Sequence, residues 1–302
     1  MRSVDQYVRY QSLECDLWSE EGVDVFFEEE EFAKAIRTVT PMDETVDHGA
    51  DKSNYANGLS IPQIHHPSPS NLAEYRIPDA KGFITIPTTT LSPYEFVCAL
   101  IASSLRCGLN LQTNTPALSI TPPFSSSSPG HWTVQTPRGS ISTKKIVLAT
   151  NAFIPQLHPP LTPFPTPIRS QMFATVPSAA HITADRSYSF LYPGGHNDYL
   201  IVRPPGASGE GDVLIGGGRK FAPGGEEGVL ENESVNEEVR AYLKGAVGGH
   251  FDGKDRKGNK EVKGEWTGIM ESTADGMSVV GQEEKEEKRL WVCAGFNGLG
   301  TS

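Results

Sequence analysis

Apolar and polar positions along the chain change period several times, and each change marks an element. Val23-Asp24-Val25-Phe26-Phe27 alternates and then meets the acid run Glu28 to Glu31, which predicts a strand feeding the acidic first turn of a helix. From Pro41 to Ala80, Gly, Asn, Pro and His break every periodicity, so that stretch reads as irregular loop with short helices at most. Ser92-Pro93-Tyr94-Glu95 has the composition of a capping box with proline in the first turn. Behind it Phe96, Val97, Leu100, Ile101 and Leu105 recur at helical spacing before Gly108. An amphipathic helix is expected there, followed by an alternating strand at Leu109 to Thr113. Trp132 to Thr136, turning at Pro137-Arg138-Gly139, reads as a hairpin.

Ile146-Val147-Leu148-Ala149-Thr150 is an unbroken apolar run, as in a strand buried on both faces of a parallel sheet, whose carboxyl end is where a ligand sits. Gln171 to Val176, Tyr199 to Val202 and Val213 to Ile215 read as a separate, mainly antiparallel sheet, and Glu231 to Val247 as a helix. A last strand, Leu290 to Ala294, empties into Gly295-Phe296-Asn297-Gly298-Leu299-Gly300.

The chain has 302 residues, 37% of them hydrophobic, enough for a core and too much for a disordered chain. No apolar run approaches the ~18 residues of a membrane span. A net charge of -11 repels phosphate backbones, so nucleic acid is not an expected partner. Cys15, Cys98, Cys107 and Cys293 show no paired spacing, and the first residues lack an apolar signal region, so the expected location is cytoplasmic. His65-His66 reads as an exposed polar pair rather than a metal site, and Cys293 as a small core residue. No G-x-S-x-G elbow or HExxH is present to support a hydrolase or metalloprotease.

Thr113-Asn114-Thr115-Pro116-Ala117, Val147 to Ala152, Trp266-Thr267-Gly268 with Ala274-Asp275-Gly276 and Val280-Gly281, and Ala294 to Gly300 form an ordered series. That series resembles the FAD-dependent oxidoreductases of the D-amino-acid oxidase superfamily, and the likeness spans Cys15 to Gly300. The resemblance implies an α/β (α+β) chain with an FAD-binding Rossmann-like region and a mainly antiparallel β substrate domain. It places the substrate domain at residues 1–80 and 166–260, and the FAD domain at 81–165 and 261–302. Implied cofactor contacts are Thr115 and Ala117 at the adenine end, Ala149, Thr150, Asn151 and Ala152 beside the pyrophosphate and ribose, and Gly295, Phe296, Asn297, Gly298, Leu299 and Gly300 beside the ribityl chain and ring. Tyr199 and Arg203 fall in the substrate domain. The implied reaction is hydride transfer to flavin from a carbon next to an amine nitrogen, with re-oxidation by molecular oxygen or an electron carrier. No catalytic residue is singled out.

Departures from the family pattern alter the expectation. The strand, GxGxxG and helix that open such proteins do not occur; Gly206 to Gly211 follows two prolines and precedes a strand, so it is not that fingerprint. The expectation is therefore an incomplete FAD region, and the alternative to an enzyme is a truncated, non-catalytic remnant that does not hold FAD tightly. Met270 occupies the place, two residues after the glycine of W-x-G, where glycine and D-amino-acid oxidases carry the arginine that clamps the substrate carboxylate. Arg169-Ser170-Gln171 has serine where the family commonly has glycine. An amine-type substrate is thus expected over a free α-amino acid, with Arg203 as the arginine able to substitute.

Overall fold

The computed structural model describes residues 2–44, 62–123, 130–162, 164–176, 184–251, 261–283 and 289–297. In chain order the first elements are α1 (Arg2–Gln11), β1 (Trp18–Phe26), α2 (Glu29–Glu44), β2 (Gln63–His65), α3 (Pro69–Tyr75), β3 (Gly82–Thr90) and α4 (Pro93–Arg106). There follow β4 (Ser119–Thr121), β5 (Trp132–Thr136), β6 (Gly139–Thr143), β7 (Ile146–Leu148), α5 (Ile154–Leu157), β8 (Thr166–Thr175), β9 (Arg186–Tyr192) and β10 (His196–Val202). Last come β11 (Val213–Gly216), α6 (Glu237–Phe251), β12 (Val262–Ser272), β13 (Val279–Gln282) and β14 (Leu290–Ala294). Two compact units emerge, one of Met1–Ile101, Gln171–Gly225 and Val235–Thr267, the other of Ala102–Ser170, Glu226–Ser234 and Gly268–Ser302.

Most of the first unit is a sheet of order β12-β8-β11-β10-β9-β1-β3-β2. The period-two pattern explains its burial. Val23 and Val25 of β1, Phe83 of β3, Phe190 of β9, Leu200 of β10, Ile215 of β11 and Phe173 of β8 all project to one face. Val239 and Leu243 of α6 cover them. Asn236 starts that helix, its side-chain oxygen accepting the Glu238 and Val239 amides at 3.0 and 3.2 Å. The pairing of β1 with β9 is parallel, while β9, β10, β11 and β8 run antiparallel. On the opposite face the registers align Asp24, Ser189, Tyr199, Gly216 and Met172 in one lateral row. Near the β1 end of that face, Phe32 of α2 packs on Phe26 and Ile84.

The second unit holds the sheets β13-β14-β7 and β4-β5-β6. Trp132, Ile146, Leu148, Ile154, Leu290, Val292 and Ala294 form its core. A side chain as fully buried as Leu290 contributes about 2 kcal/mol.

Several expectations are corrected. Val147 is 62% exposed, so β7 is packed on one face and not on both, with its outward side chain beside Trp291 of the parallel neighbour. Leu109 to Thr113 forms no strand; the Leu109 amide closes the end of α4 on the Ser104 carbonyl, and an alternating segment without a neighbouring strand has no ladder to join. The helix after Ser92 exists but buries no residue fully. His65 is half-buried, stacked on Phe83 at 4.5 Å and hydrogen-bonded to the Thr85 hydroxyl at 3.0 Å, while His66 is exposed. Cys293 is half-buried rather than in the core. Within 41–80, α3 is closed by a reciprocal capping box of Ser68 and Asn71. Among the described residues no helix is long and apolar enough to cross a membrane.

Candidate functional site

Strands β7 and β14 pair in parallel, with Trp291 opposite Val147, so their carboxyl ends deliver two loops to one edge: Ala149 to Ala152 and Gly295 to Asn297. Both loops leave their strands through left-handed backbone, at Asn151 (φ 50°), Gly295 (φ 79°) and Asn297 (φ 52°). Asparagine tolerates that region because its short side chain bonds locally. At Gly295 a side chain is excluded twice over, by φ and because a Cβ there would lie 2.7 Å from Thr273 Cγ2.

A polar knot ties the loops together. The Asn151 side-chain amide donates to Glu271 Oε2, the Gly295 amide donates to Asn151 Oδ1 at 3.2 Å, and the Phe296 amide donates to Glu271 Oε1 at 2.8 Å. Asn297 Oδ1 accepts the Thr273 amide at 2.7 Å, and the Thr273 hydroxyl lies 3.1 Å from it. Glu271 is 5% exposed, and its carboxylate is met by neutral donors rather than by a cation. Around this knot the edge stays open: Ala149 and Thr150 are exposed, and Ala152 is buried beneath them. Downstream, Asp275 accepts the Met277 amide at 3.0 Å, which holds its carboxyl below the usual range.

Of the residues expected at the cofactor, Asn151, Gly295 and Phe296 are thus joined directly or through Glu271, and Asn297 joins them by donating its side-chain amide to the Gly295 carbonyl. Thr115 and Ala117 follow the turn at 113–114, where the Thr115 hydroxyl donates to the Thr113 carbonyl at 2.9 Å and accepts from Arg138 at 3.4 Å; Ala117 is exposed. Gly298, Leu299 and Gly300 lie outside the described residues. Sequence reasoning missed Glu271 and Thr273. The available signal was an acid directly following Met270, at the end of the strand that carries Trp266-Thr267-Gly268.

Tyr199 and Arg203 belong to the first unit and Met270 to the second. The Tyr199 ring lies across Gly216, where a Cβ would come within 2.4 Å of the ring carbon Cζ. Arg203 pairs with Asp16 at 3.1 Å, and its Nε is buried without a hydrogen-bond partner. Beside it is a cavity of about 650 Å³ lined by Met172, Ala174, Ile201, Arg203, Leu214 and Trp266, all on the sheet face away from α6. Arg169 is committed to structure, buried and paired with Glu226 and, at 3.0 Å, with Glu231.

The family model of FAD dependent oxidoreductases, DAO, matches residues 7–302. The chain belongs to this family. FAD is the cofactor of the family. Glycine oxidase from Geobacillus kaustophilus has a similar fold, with 19% identity, TM-score 0.68, and coverage of 99% of this chain and 71% of that one. L-proline dehydrogenase from P. horikoshii is similar at 18% identity and TM-score 0.70, over 99% of this chain and 73% of that one. The dithionite-reduced, FAD-bound L-α-glycerophosphate oxidase from Mycoplasma pneumoniae follows at 12% identity and TM-score 0.66, over 96% and 72% of the respective chains. None of the curated proteins compared with the chain matches it. The chain has the expected mixed α/β fold.

Proposed function

We propose that the protein oxidises a C–N bond of an amine or amino-acid-like small molecule, with residues 81–165 and 261–302 serving the flavin and residues 1–80 and 166–260 serving the substrate. The observation that carries the reading is the knot of Asn151 and Glu271 with the Gly295 and Phe296 amides. It holds the two motif loops at one edge of a parallel strand pair, the place where a nucleotide cofactor is received in such sheets. The residues suit FAD: the exposed backbone of Ala149 and Thr150 admits a phosphate-bearing ligand closely. Glu271, the one anion of the knot, is turned inward, its two oxygens accepting the Asn151 side-chain amide and the Phe296 backbone amide. Gly295, Phe296 and Asn297 would lie beside the ring, and Thr115 and Ala117 beside the adenine end.

When bound, FAD supplies the acceptor for the hydride equivalent, and oxygen or an electron carrier re-oxidises it. The chain's own part is to seat the substrate and keep water from it. Tyr199, packed flat on Gly216, presents a fixed aromatic surface on the open sheet face. Met270 carries no charge, and Asp16 already neutralises Arg203, so two positions that could clamp a carboxylate lack a free cation. This supports an amine-type substrate. The free cysteines support a reducing, cytoplasmic setting.

Purification and reconstitution test the reading. A yellow protein that releases FAD on denaturation and consumes oxygen, or reduces a dye, with amines supports it. A colourless protein that cannot be loaded with FAD points to a family member without catalysis, and turnover of D-amino acids alone defeats the amine preference.

A further inference from the structure

On the α6 side of the first unit's sheet, away from the face that carries Met172, Tyr199 and Arg203, lies a cavity of about 550 Å³. The sequence of α6 opens it. Ala241, Gly245 and Gly249 fall four residues apart on one face of that helix, and all three line the cavity. Glycine inside a helix is unfavourable relative to alanine, so two glycines on one face give up helix stability and leave space. The walls are aromatic. Phe27 and Tyr192 stack at 5.6 Å between ring centres, and Phe221 and Tyr242 meet at 4.2 Å.

One ammonium stands at this cavity. The glycines at 216–218 let the chain turn off β11 onto α6: at Gly218 φ is 71°, and a Cβ there would lie 2.8 Å from Tyr242 Cδ1. The turn carries Lys220, whose Nζ sits 3.3 Å from the centre of the Tyr192 ring and 5.3 and 5.6 Å from those of Phe221 and Tyr242. Three rings therefore already meet a positive charge, and a second cation here would be repelled. The remaining polar groups are engaged with Asp198. The Tyr242 hydroxyl donates to Asp198 Oδ2, the Tyr192 hydroxyl donates to the same oxygen at 3.3 Å, and His250 Nε2 lies 3.2 Å from it. Lys220 has no carboxylate within 4.0 Å among the described residues, the exposed Asp79 of the cavity rim included. Partial burial lowers the Lys220 pKa, with the Asp198 charge opposing, so the ammonium gains from an anion beside it.

We propose that this cavity is a second small-molecule site and that it takes an aromatic carboxylate, its ring against Phe27, Tyr192, Phe221 and Tyr242 and its carboxylate on Lys220. A carboxylate supplies the counter-ion that Lys220 lacks, and a flat apolar body matches the ring faces and the floor of small residues. The volume falls within the range of about 300–1,000 Å³ usual for small-ligand sites. The inference does not depend on the flavin or on the amine reading, since every residue named belongs to the first unit.

The test is calorimetry on the FAD-loaded full chain with 2-naphthoate against its neutral shape analogue, 2-naphthylmethanol. The acid is expected to bind at one site, about tenfold or more tightly than the alcohol. Lys220→Gln should bring the acid down to the level of the alcohol, and Lys220→Arg should keep most of the preference. Gly245→Leu fills the floor of the cavity and should weaken acid and alcohol alike by about tenfold or more. Equal binding of acid and alcohol by the wild type, no binding of either, a preference that survives Lys220→Gln, or affinity untouched by Gly245→Leu overturns the proposal. Should Gly245→Leu fail to fold, the two Lys220 variants, changed only at the cavity mouth, decide alone. Failure to load FAD defeats the flavin reading separately, and the same titrations on the chain as purified still decide this site.

Discussion

The side-chain amide of Asn151 and the carboxylate of Glu271, 120 positions apart, share a hydrogen bond, and each also holds a backbone amide of the Gly295–Phe296 loop. Two segments that sequence motifs mark separately therefore form a single structural unit.

Asn151→Ala removes the donor to Glu271 Oε2 and the acceptor for the Gly295 amide, leaving part of a buried carboxylate unpaired. A loss of about 1–3 kcal/mol is expected, with a larger relative loss of FAD affinity because the loop is released. Denaturant midpoints and FAD titration by fluorescence quenching measure both. Unchanged FAD affinity would show that the knot is remote from the cofactor.

Gly216→Ala inserts a methyl group where the Tyr199 ring now lies, and the ring must lift off the sheet. The expected result is a substrate KM raised several-fold with little change in FAD binding, since Tyr199 and Gly216 are in the first unit. Equal KM in mutant and wild type would remove Tyr199 from the substrate surface.

Burial alone would push Asp198 up, yet the His250 ring 3.2 Å away, the Tyr242 hydroxyl and the Gly218 amide at 2.7 Å outweigh it and hold its carboxyl below the ordinary value. For an acid lowered by folding, the stabilisation is present above the unfolded value of 3.8 and is lost as pH falls through the folded one. Acid unfolding should therefore steepen below about pH 4 in the wild type, and Asp198→Asn should flatten that limb while lowering stability at neutral pH. Thermal melts across pH 2.5 to 7 check the sign.

On the proposed correspondence of Met270 with the carboxylate clamp, Met270→Arg places a guanidinium beside the substrate. The expected change is a rise in kcat/KM for glycine or D-amino acids relative to simple amines, by about tenfold if the new pair is desolvated. An unaltered ratio would place Met270 away from the substrate.

Legibility of the sequence followed the range of the interactions. The strand at Val23–Phe26, the helix behind Ser92, the hairpin at Trp132 and the strand at Leu290 were readable because periodicity, caps and turn residues act over a few positions. Leu109 to Thr113 alternates as a strand should and is not one, since a strand exists through its neighbour. The exposed Val147 misled for the same reason: an apolar run says nothing of which faces are covered.

By itself the sequence determined many of the elements, the order of the motif series and the two loops that carry the flavin reading, all local or nearly local properties of the chain. Tertiary structure alone decided that Glu271 closes those loops, that Tyr199 rests on Gly216 and that Asp16 takes the charge of Arg203. Each of these is a contact between residues distant in sequence. Burial and pairing are properties of a neighbourhood that comes into existence when the strands are laid side by side.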